Sequence, residues 1–169
     1  MTDIADRAQA GYELADRYRL EEGTVFLSGL QAIARMPVDQ IRIDRVKGLR
    51  TAAFISGYQG SPVGMFGEEV DRARATVPDL PIVNRRGVNE ELAATSVMGS
   101  QLSVTLDDCK YDGVIGMWYG KGPGIDRAGD AVRHAVFAGA APHGGVVAVV
   151  GDDPACKSST LPSSSDATL

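Results

Sequence analysis

The chain has 169 residues, 44% of them hydrophobic and 23% charged, with a formal net charge of −5. That length supports one domain with a real core, and the acidic balance speaks against a nucleic-acid binder, whose surface usually carries a basic surplus. No run of about 18 apolar residues occurs, so no membrane span is expected.

In chain order, the start Met1-Thr2-Asp3-Ile4-Ala5-Asp6 is polar and acidic and lacks a signal-peptide core. Residues 4–19 fit a modestly amphipathic helix, an N-terminal extension over 1–20 ahead of a domain over 21–169. Thr24 to Gly29 reads as a short strand or extended lead-in. Leu30 to Met36 begins a helix, Pro37 is compatible with a short break, and Val38 to Val46 continues helical.

A regular alternation follows. Strands are expected at Thr51–Ser56, Pro81–Val83, Val114–Trp118 and Val146–Val150, and helices at Glu68–Ala75, Asn89–Val104 and Asp126–Ala138. Short apolar strands alternating with helices predict an α/β fold, a mostly parallel sheet covered by helices on both faces. Ligands of such sheets bind beyond the C-terminal strand ends, and the Gly-rich polar segments fall there. The Ser-rich tail from Lys157 to Leu169 brings no closing helix, so the chain reads as the first part of something longer, truncated at the C-terminus.

Several familiar sites are missing from the sequence. It has no GxSxG elbow, no phosphate loop, no GxGxxG and no HExxH. Cys109 and Cys156 lie too far apart to hold a cluster or zinc alone and read as reduced thiols of a cytoplasmic protein. The stretch Gly87 to Thr95 is the most informative, because Glu90 falls in the first turn of a helix directly after a short apolar segment. Asn89 as N-cap with Glu90 and Glu91 against the helix dipole accounts for it structurally; a functional carboxylate accounts for it equally. The small residues Ala93, Ala94, Ser96, Gly99, Ser100 and Ser103 suit close approach of a ring or ordinary helix–sheet packing.

Five segments taken together carry a resemblance: Thr24–Ala32, Phe54–Pro62, Val88–Thr95, Gly116–Gly124, and Gly151–Pro154 with Lys157-Ser158-Ser159. In this order they resemble the N-terminal part of the long, fused indolepyruvate ferredoxin oxidoreductases, over about residues 18–169. The matching part is the thiamine-diphosphate pyrimidine-binding domain, a three-layer α/β fold.

The resemblance implies a 2-oxo acid oxidoreductase. It decarboxylates indolepyruvate or a related 2-oxo acid on thiamine diphosphate, passes the acyl group to coenzyme A and sends electrons through iron–sulfur clusters to ferredoxin. It implies Glu90 as the catalytic residue that hydrogen-bonds the aminopyrimidine ring. Gly60, Glu90, Ala94, Tyr119, Lys121 and Gly122 are implied around the cofactor, with Ser61 and Pro62 facing the 2-oxo acid. Asp152 and Asp153 are either part of the signature or a plain Asx turn.

The sequence departs from the family at Met98, where close relatives carry an aromatic residue. It also has no GDG…Asn segment for Mg2+ and no cluster cysteines. The fused family carries these further along, so no metal ligand is expected in this chain, and a diphosphate-binding domain would come from the same or another subunit of a homo-oligomer. Two alternatives stay open: a non-catalytic remnant or interaction module on the same fold, and a related oxidoreductase with another 2-oxo acid.

Overall fold

The computed structural model describes residues 11–160 and 162–165. The elements run α1 (Asp16–Arg19), α2 (Gly29–Val46), β1 (Thr51–Gly57), α3 (Phe66–Thr76), β2 (Ile82–Asn84), α4 (Glu90–Leu102), a 3-10 turn (Ser103–Thr105), β3 (Gly113–Lys121), α5 (Gly122–Arg127), α6 (Gly129–Ala138) and β4 (Gly145–Gly151). The four strands form one sheet in the order β2-β1-β3-β4, and every pairing is parallel.

Residue parity sorts the core into two clusters, one on each face of the sheet. Ala53, Ile55, Met117 and Tyr119 point to one face, where α2 and α3 cover them with Val38, Ile41, Phe66 and Val70. Phe54 and Trp118 point to the other, where α4, α5 and α6 bring Ala93, Val97, Ile125 and Ala131. Each large apolar side chain buried this way contributes roughly 1.5–3 kcal/mol. The layers are therefore helix, sheet, helix, as the alternating pattern predicts.

Local chemistry sets the helix ends. Ser28 caps α2 with a capping box: its Oγ accepts from the Gln31 N–H, and the Gln31 Oε1 accepts from the Ser28 N–H at 2.9 Å. Gly48 and Gly139, at φ 78° and 76°, end α2 and α6 in a conformation that side-chain-bearing residues resist.

Several expectations need correction. Of the two readings for Thr24 to Gly29, the lead-in holds: 24–28 pairs with no strand among the described residues, and only Gly29 moves, into α2. Pro37 does not break that helix. Its ring is fully buried, and packing across α2 outweighs the missing hydrogen bond. The helix expected over 4–19 lies partly outside the described residues; from 11 onward only Asp16–Arg19 is helical, and Gly11 has φ 84°. The helix expected over 126–138 begins earlier, at Gly122, and is divided at Ala128. Strand pairing carries β3 on to Lys121, and Pro123 then starts a helix in the position where its missing N–H costs nothing.

The N-terminal segment is docked on the domain by charge. Arg35 and Arg42 of α2 reach the carbonyl oxygens that α1 leaves unpaired: Arg35 donates to Arg17 O and to Leu20 O (2.6 Å), and Arg42 to Arg19 O (3.0 Å). Buried Tyr18 donates to Glu69 Oε1 of α3 at 2.6 Å, and Arg72 approaches Glu69 Oε2 at 2.7 Å. Burial pushes the Glu69 carboxyl up, but the Tyr18 hydroxyl and the Arg72 guanidinium outweigh it and hold the carboxyl below its ordinary value. Burial, and then the bond to Glu69, push the Tyr18 hydroxyl well above its own.

Tyr18→Phe should therefore lower the unfolding free energy at pH 7 by about 1–3 kcal/mol, the cost of an unmet buried acceptor. Glu69 titrates lower in the folded chain than in the unfolded one. Its stabilising contribution is thus complete above the unfolded value of about 4.3 and is lost as pH falls through the lower folded value. Urea denaturation of both proteins at pH 7 and pH 3 should show the difference shrinking in acid.

Candidate functional site

The strand order places a topological switch between β1 and β3. After β1 the chain turns to α3 on one face; after β3 it turns to α5 and α6 on the other. The connections diverge at the C-terminal ends of these strands, the usual ligand position in such sheets.

Absent side chains let neighbouring segments close in on these strand ends. Gly57 stands opposite Tyr119 in the register, and a Cβ on Gly57 would collide with the Tyr119 backbone oxygen. Pairing continues past the strand ends: Tyr58 N–H donates to Tyr119 O at 3.0 Å and Gly87 N–H to Gly57 O at 2.9 Å. Gly60 lies against Lys121, where an added Cβ would stand 3.2 Å from the lysine Cβ. Ser61 and Pro62, joined by a cis peptide, are exposed beyond the end of β1. A Cβ on Gly151 at the end of β4 would stand 3.0 Å from Pro62 Cδ. The structure thus brings Gly60, Ser61, Pro62, Lys121 and buried Gly122 to one edge of the sheet.

Glu90 opens α4 beside this edge. Asn89 is the N-cap, its Oδ1 accepting from the Leu92 N–H at 2.8 Å. The capping account therefore explains Asn89 but leaves the Glu90 side chain free for other work. That side chain is 15% exposed, with Oε2 4.0 Å from Arg127 Nε. Its stem is pressed against Gly124 of α5, where a Cβ would come within 2.7 Å of Glu90 Cγ and 3.0 Å of Oε1. Trp118 Nε1 donates to the Glu90 backbone oxygen at 3.0 Å and fixes the start of the helix on β3. Glu91, by contrast, is exposed.

Two residues expected at the site lie away from this edge. Ala94, one turn beyond Glu90, is buried and lines an apolar cleft of about 320 Å³ with Trp118, Val97 and Val146. Tyr119 is 1% exposed in the core on the α2–α3 face. Its ring meets Phe66 edge-on with centroids 5.2 Å apart, and burial pushes its hydroxyl pKa up despite nearby Arg86. Trp118, Gly124 and Lys157 stand in the motif segments of the sequence without a role of their own there, and Arg127 stands outside them. The Pro123 helix start and the strand parity of Trp118 were the available signals for two of these positions.

The segment after β4 folds back on itself. Asp153 and Ser163 form an antiparallel bridge, and the Asp153 carboxylate accepts from the backbone N–H groups of Ser158 (2.7 Å) and Lys157 (3.0 Å). The Ser158 amide, opposed by burial and aided by the Lys157 amide, holds the Asp153 carboxyl below its ordinary value. These bonds reach four and five residues along the chain, so Asp153 organises a wider loop than an Asx turn, whose bond spans two. Asp152 Oδ2 accepts from the Ser165 N–H and hydroxyl.

Among the described residues there is no group of three or more His, Cys, Asp or Glu that could hold a metal ion, and no helix long and apolar enough to cross a membrane. No protein-family model, curated protein or solved structure matches the chain.

Gly124→Ala should cost about 1–3 kcal/mol, the usual penalty for overpacking. Most of that cost should disappear in the Glu90→Ala background, because the clash is with Glu90 itself. A denaturation double-mutant cycle measures the coupling; strictly additive effects would show that the two side chains do not share the space.

Proposed function

We propose that this chain is the pyrimidine-binding part of a thiamine-diphosphate-dependent 2-oxo acid:ferredoxin oxidoreductase of the indolepyruvate type. The observation that carries the reading is the Glu90 carboxylate, mostly buried in the first turn of α4 and set against Gly124 beside the switch point. A largely buried carboxylate at the C-terminal end of a parallel sheet, approached only by Arg127 at 4.0 Å, is placed to exchange a proton with a ligand there. The missing side chain at Gly124 leaves room for the Glu90 stem and so sets where the carboxylate stands.

In this reading a Glu90 carboxyl oxygen makes the hydrogen bond to the aminopyrimidine ring. Trp118, through the Glu90 carbonyl, and Gly124, through the Glu90 stem, fix where that oxygen stands. Bound thiamine diphosphate supplies a nucleophilic carbon and an electron sink for decarboxylation. Ser61 offers a hydroxyl at the same edge, and Lys121 a positive charge for an anionic substrate. Tyr119 acts in packing only. Mg2+, the iron–sulfur clusters and the ferredoxin site belong to other parts of the assembled enzyme.

Glu90→Gln should slow exchange of the cofactor's C2 proton in the assembled enzyme by at least about 10²-fold, the scale of a lost general acid–base group, with the thermal midpoint unchanged. Exchange at the wild-type rate would end the assignment.

A second reading, an interaction module on the same fold, draws on one observation. Val136 and Phe137 of α6 are 76% and 92% exposed, near the cleft that Val146 of edge strand β4 also lines. Sedimentation separates the two readings: tight association indifferent to thiamine diphosphate favours the module.

A further inference from the structure

On the far side of α5 from Glu90, an open groove of about 700 Å³ runs between Lys121 and Lys157, with Ser158, Ser159, Thr160 and Pro123 along its walls. Among the described residues no acidic side chain lines it, in a chain whose net charge is −5. Asp153, just before the Lys157 turn, is 7% exposed and turned inward, its oxygens taken by the amides of Lys157 and Ser158. Those bonds, with the Asp153–Ser163 bridge, hold the Lys157–Thr160 segment as a fixed turn beside the groove. Lys121 Nζ reaches Ser158 O at 3.1 Å and ties that turn to the end of β3.

We infer that this groove binds a phosphate group, held between the Lys121 and Lys157 ammonium groups with the Ser158 and Thr160 hydroxyls as further donors. The donor set suits phosphate better than carboxylate. A planar carboxylate is matched best by the planar fork of arginine, and no arginine lines the groove. Two point-charge ammonium groups and the two hydroxyls approach from different directions and match the oxygens of a tetrahedral anion. The acidic whole-chain charge opposes diffuse anion binding, so the attraction is local to these residues. The phosphate could be borne by the cofactor or by the acyl acceptor; only that choice rests on the proposed function, and the groove itself does not.

The test is a titration of the full chain, 15N-labelled, with inorganic diphosphate, following the amides of Lys157 to Thr160. Saturable shifts at these amides are expected, weakened about tenfold by Lys157→Gln, kept by Lys157→Arg and diminished by added salt. Lys157 is exposed, so its variants should leave the rest of the amide spectrum in place. Absence of saturation, or equal affinity in wild type, Lys157→Gln and Lys121→Gln, overturns the site.

Two competition arms assign the source. Thiamine diphosphate against thiamine reports the cofactor, and coenzyme A against pantetheine reports the acyl acceptor. Glu90→Gln should bind diphosphate as wild type does, so failure of the Glu90 assignment and failure of this site are distinguishable.

Discussion

The register of β1 against β3 is the constraint on which the remaining structure depends. Ser56 lies beside Trp118 and Gly57 beside Tyr119, with no room for a Cβ on Gly57. A slip of one residue would exchange the faces of the sheet. Met117 and Tyr119 would then leave the α2–α3 core, and Trp118 would lose both its place under α4 and its bond to the Glu90 carbonyl. The same register brings the loop after β1 over the end of β3, so Gly60 rests on Lys121. Fold and candidate site are thus fixed by one pairing.

Charge is distributed with a similar economy. Arg35 and Arg42 are spent on the carbonyl oxygens of α1, and Glu69 on Tyr18 and Arg72, all away from the switch point. At the C-terminal edge, Asp152 and Asp153 are turned to the chain's own backbone and Ser165. What faces outward there is Lys121 and Lys157. An acidic protein therefore presents a basic groove, because its nearby carboxylates are occupied in shaping the loop.

The two sides of α5 have different chemistry for the same reason. Gly124 faces Glu90 and leaves it space; Lys121 and Pro123, at its start, face the groove. A short helix begun by Pro123 directly after β3 is what separates the carboxylate from the ammonium groups.

Much of this was legible in the chain. Four short apolar runs, three of them beside glycine, with helical spacing between them, determined the strands, most of the helices and a parallel sheet with helices on both faces, although β4 stays largely exposed. Buried parallel strands carry a continuous apolar pattern that little else produces. Asn89 before Glu90 determined where α4 starts, because a cap is a local interaction. The end of β3 was not legible, since Gly120 and Gly122 read as a loop until strand pairing is known. Nor was the path through Pro37, where burial overrides local propensity. Tyr119, beside four glycines in sequence, looked like a site residue, yet its parity in β3 sends it to the opposite core. The contact of Gly124 with Glu90 and the meeting of Lys121 with the Lys157 turn join residues distant in sequence. Side-chain patterning records what is buried and where chains turn; which distant residues meet is decided by register and helix packing, and that only the tertiary structure supplied.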